Sequence, residues 1–343
     1  MEPFGAVLEK LIAGVSLTAA ESQLAVGSML EGNVADAAIA AYLTALRMKG
    51  ETAPELEGAV AAIRERMIHF DGGSSTGLLL DTCGTGGDGA CTVNISTAAA
   101  IVVAACGVAV VKHGNRAASG SSGSSDVLSA LGVAIDPELP LLSRSLAELR
   151  IAFLFAPRFH PGLRHVAPIR RQLPFRTVFN LVGPLCNPAR PAYQIVGTPE
   201  GPHADLLADV LARLPNIHRA AVVSGCDGLD EVTLGGPTKV RLVEQGMVRQ
   251  LVWQPLDLGL NPGSAAALRV RDPTESAERI RSVLAGELGP VRDYIVANSA
   301  AALWVTGRHA LRDAAEVATV AIDSGAAAGV LERWRQLVPA GNP

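Results

Sequence analysis

Two glycine-rich loops, each lying between an apolar run and a helical stretch, constrain the fold of this chain most. The first loop, residues 84–89, follows a short apolar run at residues 78–81, and the second, residues 112–125, follows a Val-rich strand at residues 108–111. Alternation of strand, loop and helix is typical of a parallel α/β sheet. Ligands of such sheets bind beyond the carboxyl ends of the strands, where both loops are expected to lie.

The first 70 residues differ from this pattern because their periodicity is helical throughout. Thr18 and Glu21 have the capping-box spacing that opens a helix, and helical patterns cover residues 35–49 and 54–67. Residues 71–77 have the composition of a linker. We therefore expect an α/β protein, with a large α/β domain containing a mainly parallel central sheet and a smaller all-helical domain.

The second half of the chain continues the α/β pattern. A strand is predicted at residues 220–223 and a β-ribbon over residues 233–252. Residues 180–188 are predicted to be a loop, because they are too rich in Gly, Pro and Asn for a helix. Further elements are a loop at residues 255–261 and helices over residues 96–106, 126–131, 274–284, 291–306 and 313–335.

Charge and cysteine content argue against several classes of partner. The 343 residues have a net charge of -4 and a pI of about 6.0, which favours neither nucleic acid nor an anionic membrane. The longest apolar run, residues 98–111, has 14 residues, fewer than the ~20 of a membrane helix. Five cysteines without a CxxC pair, and a start without the basic region of a signal peptide, predict a reduced, cytoplasmic protein.

The first loop has the residue types of a phosphate site. It matches GxGxxG, but the next strand ends in Lys112 and His113, where a dinucleotide fold needs an acidic residue. Ser96 and Thr97 at the start of the following helix could bind an anion together with the helix amides. The alternative is an ordinary βα turn with capping residues.

The second loop repeats this arrangement in the next βα unit. Lys112 and Arg116 lie at its start, and Ser124 is placed to cap the following helix. The alternative is a flexible Gly/Ser linker. Two such loops side by side indicate a polyphosphate ligand.

Two charged segments complete the set of candidate functional residues. The adjacent carboxylates Asp230 and Glu231 repel each other, and a Mg²⁺ ion bridging to phosphate oxygens would remove that repulsion. Arg170 belongs to a basic stretch, residues 158–176, that could bind a carboxylate or phosphate. The alternatives are a solvated acidic turn and a solvated helix face. Neither a zinc spacing nor a Walker A motif is found in the sequence.

Taken together, these segments resemble the anthranilate phosphoribosyltransferase family. The resemblance covers nearly the whole chain and is carried by several blocks in order, which are residues 40–52, 84–88 (GTGGD), 94–97 (NIST), 112–115 (KHGN), 180–188 and 228–231 (GLDE). It implies a helical domain of residues 1–70 with about 164–188, on the dimerisation and acceptor side. It also implies an α/β domain of residues 71–163 and 189–343 that binds 5-phosphoribosyl 1-pyrophosphate (PRPP), and a homodimer.

The resemblance further implies the reaction, which is Mg²⁺-dependent transfer of phosphoribose from PRPP to the amine of anthranilate in tryptophan biosynthesis. No covalent nucleophile is required, and Lys112, His113, Asn115 and Arg170 would position the substrates. Magnesium would use Ser96, Asp230 and Glu231, and anthranilate would contact Gly84, Asn115 and Arg170. The residues implied for PRPP are Gly84, Gly87, Asp88, Thr92, Asn94, Ile95, Ser96, Thr97, Lys112, His113, Gly114, Asn115, Arg116, Ala117, Ala118, Ser119, Gly120 and Ser124.

Three departures from the family pattern concern the ligands. Ser121 stands where many members carry a lysine, which predicts one phosphate-binding cation fewer. Gly162-Leu163 and Pro174 replace the usual residues near the acceptor entrance. A substituted aminobenzoate acceptor therefore stays an alternative, as do a nucleoside phosphorylase-like activity and a relative that binds nucleic acid.

Overall fold

The N-terminal part of the chain is purely helical. A computed structural model describes residues 2–72, 78–86, 89–116, 123–199 and 201–340. The capping box predicted at Thr18 is present, because the Thr18 hydroxyl accepts from the Glu21 N–H and the Glu21 carboxylate accepts from the Thr18 N–H. The first four helices are α1 (Glu2–Ile12), α2 (Ala19–Leu30), α3 (Asp36–Lys49) and α4 (Ala53–Arg66).

Strands and helices alternate in the rest of the described chain. The strands are β1 (Leu80–Asp81), β2 (Val110–Gly114), β3 (Ile151–Phe155), β4 (Tyr193–Gly197), β5 (Arg219–Gly225), β6 (Thr238–Glu244) and β7 (Met247–Trp253). The helices up to β5 are α5 (Ile95–Ala105), α6 (Ser124–Ala130), α7 (Leu139–Leu149), α8 (Ala156–Phe159), α9 (Ala167–Gln172), α10 (Val178–Val182) and α11 (Pro202–Arg213). The last helices are α12 (Pro273–Leu284), α13 (Pro290–Val305), α14 (Leu311–Asp323) and α15 (Ala326–Leu337).

One mainly parallel sheet organises this second part, as the sequence predicts. Its strand order is β3-β2-β1-β4-β5-β6-β7. The pairs from β3 to β5 are parallel, and the predicted β-ribbon forms β6 and β7, which pair antiparallel at one edge. Because β1, β2 and β4 are parallel neighbours, their carboxyl ends lie side by side.

Apolar residues cover both sides of the sheet, as expected for buried parallel strands. Successive side chains point to opposite sides, so Val110 packs with α5, α13 and α15, whereas Val111 packs with α7. A further hydrophobic cluster joins α1–α4, residues 166–186, α11 and one side of β4 and β5. The four N-terminal helices therefore share their core with later parts of the chain.

Three predicted boundaries are wrong. The helix predicted over residues 313–335 is two helices, because Gly325 adopts a left-handed φ of 76° between α14 and α15. Residues 178–186 are helical and not a loop, with α10 followed by a 3-10 turn at Gly183–Cys186. The strand predicted to end at residue 111 continues to Gly114, so Lys112 and His113 lie within β2.

The limits of the two domains stay a prediction.

Within the described residues, no single helix is long and apolar enough to cross a membrane. Taken together, α14 and α15 reach the required length and apolar composition, but they are bent by 61° relative to each other.

Candidate active site

A cavity of about 390 Å³ lies at the carboxyl ends of β1, β2 and β4. The described residues of both glycine-rich loops, the acidic pair and residues from the 156–186 segment line it. Of the described residues predicted for the site, Ile95 and Thr97 do not line the cavity and are buried at the start of α5. The others are brought together in this one cavity, and they are Gly84, Thr92, Asn94, Ser96, Lys112, His113, Gly114, Asn115, Arg116, Ser124, Arg170, Asp230 and Glu231.

Lys112 brings a buried positive charge to the cavity wall. Its side chain is 2% exposed, and its ammonium Nζ donates to the Thr82 carbonyl at 3.1 Å and to the Ser96 hydroxyl oxygen at 3.0 Å. Because an ammonium has three N–H donors, a third is left for a ligand. The strand β2 thus places a cation between the first loop and the start of α5.

The start of α5 is organised by Asn94. Its side-chain oxygen accepts from the Thr97 N–H at 3.1 Å, which is a helix N-cap, and from the Ser96 hydroxyl at 3.4 Å. The Asn94 N–H in turn donates to the Ser276 hydroxyl of α12 at 3.0 Å. These bonds direct the positive end of the α5 dipole into the cavity at Ser96.

The second loop packs tightly where it leaves β2. A Cβ on Gly114 would lie 2.2 Å from the Ser124 hydroxyl and 2.7 Å from the Phe153 ring, so only glycine fits. The Ser124 hydroxyl donates to the Asn115 carbonyl at 3.4 Å, and the Arg116 N–H donates to the Asn115 side chain at 2.8 Å. Ser124 is the first residue of α6, one position later than its predicted capping role.

The acidic pair packs against the first loop and the end of β4. A Cβ on Gly197 would lie only 1.7 Å from the Asp230 carbonyl oxygen. A Cβ on Gly84 would lie 3.2 Å from the Asp230 carboxylate. The missing side chains of two glycines therefore allow Asp230 to approach the first loop.

A further part of the cavity wall is built from α9, α10 and two histidines. The Arg170 guanidinium lies 5.4 Å from the centre of the Phe179 ring, and its Nη2 donates to the Asn180 side chain at 3.4 Å. Burial lowers the pKa of Arg170, although an arginine stays charged in proteins. The Nε2 atoms of His113 and His160 lie 3.2 Å apart. Burial lowers the pKa of His160 to about 4 and that of His113 well below its ordinary value, so both rings are neutral at pH 7.

A buried carboxylate lies behind this wall. Asp81 accepts from the His113 N–H at 3.2 Å and from the Asn187 side-chain amide at 2.8 Å. Burial raises the pKa of Asp81 to about 6, while Lys112 opposes that shift. The carboxylate links β1 to β2 and to the turn that follows Cys186.

Several cavity residues are missed by sequence reasoning. Thr85 lines the cavity with a buried hydroxyl that has no hydrogen-bond partner among the described residues, and its carbonyl accepts from Arg176 at 3.0 Å. Asn298 of α13 also lines the cavity. The GxGxxG loop itself pointed to Thr85, but the contacts of Arg176 and Asn298 join distant parts of the chain and leave no local signal.

Some predicted residues lie outside the part of the chain that the structure describes. They are Gly87, Asp88, Ala117, Ala118, Ser119 and Gly120, together with Ser121. Among the described residues, no three His, Cys, Asp or Glu side chains converge to form a metal centre by themselves. At phosphate sites Mg²⁺ commonly combines one or two carboxylates with water and phosphate oxygens.

Comparison with protein families matches both parts of the chain. The glycosyl transferase family's helical bundle domain matches residues 6–67, and its a/b domain matches residues 76–328. Among curated relatives, the anthranilate phosphoribosyltransferase of Symbiobacterium thermophilum is 45% identical over 332 residues, covering 96% of either chain. That of Thermomicrobium roseum is 46% identical over 337 residues, covering 97% of this chain and 96% of the relative.

Solved structures show the same similarity. Anthranilate phosphoribosyltransferase from Thermus thermophilus superposes with a TM-score of 0.89 at 37% identity, covering 97% of this chain and 99% of that one. The enzyme from Saccharomyces cerevisiae in complex with PRPP and Mg superposes with a TM-score of 0.87 at 28% identity, covering 98% of this chain and 97% of the yeast chain.

Proposed function

Because the chain belongs to the anthranilate phosphoribosyltransferases of the glycosyl transferase family, we propose that it transfers phosphoribose from PRPP to the amine of anthranilate with Mg²⁺ as cofactor. The observation that carries this proposal is that Lys112, Ser96, the acidic pair and Arg170 all line one cavity. The relatives are named for this activity and not for nucleoside phosphorolysis.

The donor side suits a phosphorylated, negatively charged ligand. Among the described residues, Lys112 keeps a third N–H donor and the Thr85 hydroxyl lacks a partner, and the start of α5 carries the positive end of a helix dipole. Preorganised donors of this kind stabilise charge that develops on a leaving group. Lys112, Ser96 and Thr85 would therefore bind the pyrophosphate and stabilise it as the bond to the sugar breaks.

The oxygen donors available in the cavity fit magnesium. A hydroxyl has one donor hydrogen and two lone pairs, so Ser96 can donate to Asn94, accept from Lys112 and still offer a lone pair to a metal. Asp230 and Glu231 supply carboxylate oxygens, the ligand type that Mg²⁺ prefers. Bound Mg²⁺ would neutralise negative charge on the departing pyrophosphate.

The acceptor side suits an aromatic amino acid with a free amine. Arg170 would bind the carboxylate of anthranilate and turn its amine towards the sugar. The neutral rings of His113 and His160 border this side without adding charge. The amine nitrogen forms a bond to C1 of the ribose while the bond to pyrophosphate breaks, and the amine then loses a proton.

The double substitution Asp230→Asn with Glu231→Gln tests the metal-binding part of the proposal. It removes both charges with almost no change in volume, so the fold is expected to persist while turnover falls at least 100-fold. Loss of anthranilate fluorescence in the presence of PRPP, measured across a Mg²⁺ titration, gives the rate. Asp257→Asn, an exposed carboxylate of another turn, is the matched control.

Each outcome of this experiment is decisive. A wild-type protein that does not consume anthranilate with PRPP and Mg²⁺ refutes the function. A double variant that keeps its turnover at limiting Mg²⁺ refutes the metal assignment and leaves the transfer reaction standing.

We also propose that two copies associate through the helical part, in the cytoplasm. Ile12 and Met48 are exposed by 71% and 83% there, and Leu24 is also exposed, which favours a buried interface. The five free cysteines suit a reducing compartment. Sedimentation should give twice the chain mass of 35.4 kDa, and a monomer would contradict the dimer. Cell fractionation tests the location, and recovery in the membrane or secreted fraction would contradict it.

A further inference from the structure

The helix α13 contains a polar residue that its surroundings do not favour. Asn298 is 4% exposed and lies among alanine and aliphatic residues in the interior of this buried helix. Asparagine has a lower helix propensity than alanine, and a buried amide is costly unless it is hydrogen-bonded. The position of Asn298 therefore calls for a specific partner.

That partner is the residue next to the acidic pair. The Asn298 side-chain oxygen accepts from the Val232 N–H at 2.9 Å, and its Nδ2 donates to the Val232 carbonyl at 3.0 Å. The same Nδ2 donates to the Tyr294 carbonyl at 2.9 Å, one helical turn earlier. Every polar atom of the amide is thus used, and two of the three bonds fix the backbone of Val232.

Tyr294 holds the same loop from the same side of α13. Its hydroxyl donates to the Gly263 carbonyl at 3.0 Å and lies 3.2 Å from the Thr233 hydroxyl. Thr233 in turn donates to the Asp227 carboxylate. Positions 294 and 298 are four residues apart, so they share one side of the helix.

Asp230 and Glu231 therefore lie between two rigid supports. On one side Gly197, at the end of β4, packs against the Asp230 backbone. On the other side Asn298 binds Val232, the residue directly after Glu231. A dipeptide fixed at both ends has little freedom to turn its carboxylates away.

We propose that Asn298 is a positioning residue that orients Asp230 and Glu231 for the metal ion bound with PRPP. The inference rests on the proposed function, since it assumes that the pair binds metal. Groups that orient metal ligands commonly change metal affinity by about 10- to 100-fold when they are removed. Asn298 orients the acidic pair through its hydrogen bonds to the backbone of Val232.

Binding of Mn²⁺ in the presence of PRPP, followed by electron paramagnetic resonance, tests this role without turnover. Asn298→Ala should weaken Mn²⁺ binding at least tenfold, and the KM for anthranilate should stay within twofold of the wild-type value. Ser299→Ala is the control, because Ser299 is also buried in α13 but its hydroxyl has no hydrogen-bond partner in the described part of the chain. It should change neither quantity.

A second variant keeps the test decisive if Asn298→Ala does not fold. Asn298→Ser can satisfy its hydroxyl on the Tyr294 carbonyl but is too short to reach Val232, so it should weaken Mn²⁺ binding in the same way. Unchanged Mn²⁺ affinity in a folded variant overturns the proposal, as does an equal loss in Ser299→Ala. Failure of the wild type to bind Mn²⁺ with PRPP would instead refute the proposed function.

Discussion

The contact between Gly197 and Asp230 gives the sharpest prediction for the site. In Gly197→Ala, the added Cβ would lie 1.7 Å from the Asp230 carbonyl oxygen and 2.8 Å from its carbonyl carbon. Both neighbours are backbone atoms, so no side-chain rotation relieves the overlap. The loop that carries Asp230 and Glu231 must move away from β4.

The size of that movement follows from the geometry. A Cβ is essentially never found closer than 3.0 Å to such an atom, so the separation must grow from 1.7 Å by about 1.3 Å. A misplacement of about 1 Å in a positioned group costs about 100-fold in rate. The overlap should also lower the free energy of unfolding by about 1–3 kcal/mol, which a folded protein of this size withstands.

Two other alanine variants form a graded series with it. In Gly84→Ala the Cβ would lie 3.1 Å from the Gly197 carbonyl and 3.2 Å from the Asp230 carboxylate, so a shift of a few tenths of an ångström suffices. Its loss of turnover should be less than about tenfold. Gly329→Ala meets no atom within 4 Å in α15 and serves as the control.

Turnover is measured by the loss of anthranilate fluorescence at saturating PRPP across a Mg²⁺ titration, with the melting temperature recorded in parallel. We expect turnover to fall in the order Gly329→Ala, Gly84→Ala, Gly197→Ala, with a rising Mg²⁺ requirement. If Gly197→Ala stays folded and retains turnover within threefold of wild type, the position of the acidic pair does not control the reaction.

Two further predictions concern Arg170 and Asp81. Arg170→Ala should raise the KM for anthranilate at least tenfold and the KM for PRPP less than twofold, because a hydrogen bond to a charged group contributes about 1.5–3 kcal/mol. The control is Arg171→Ala, which changes an exposed arginine. A larger effect on the KM for PRPP would move Arg170 to the donor side. The pKa of Asp81 is raised to about 6, which means that the folded state binds the carboxyl proton more tightly than the unfolded state does. The protonated carboxyl therefore stabilises the fold below pH 4, and this contribution is lost as the pH rises through 6. Between pH 4 and 7, the free energy of unfolding in urea should therefore fall by up to about 3 kcal/mol more in the wild type than in Asp81→Asn. A difference in unfolding free energy between the two proteins that does not depend on pH would contradict the raised pKa.

The sequence predicted those features of the fold that depend on local pattern. Alternating apolar runs and glycine-rich loops indicated the parallel sheet, and the capping box at Thr18 located the start of α2. The break at Gly325 was missed because apolar spacing continues on both sides of it, although one left-handed residue ends α14. The helical turn at residues 178–186 departs from the predicted loop because Pro184 occupies the first turn of a 3-10 helix, where no N–H is needed.

The candidate site was predictable only where its residues belong to local sequence patterns. Lys112, Ser96 and the acidic pair belong to loops that parallel topology brings to one edge of a sheet. The support of Val232 by Asn298 spans 66 residues of sequence, and the bond from Arg176 to Thr85 spans 91. Such pairings depend on how distant helices pack, which a single sequence does not encode in any local spacing.

The shared core of the N-terminal helices has a consequence for biosynthesis. Leu56 and Ile63 of α4 are buried in the same cluster as Leu185 and Leu211, which are translated more than 100 residues later. At about 5–20 residues per second, the ribosome needs roughly 6–31 seconds to supply those partners. During that interval the part of α4 that packs on these later residues is uncovered on the nascent chain, so this is where a chaperone is expected to bind.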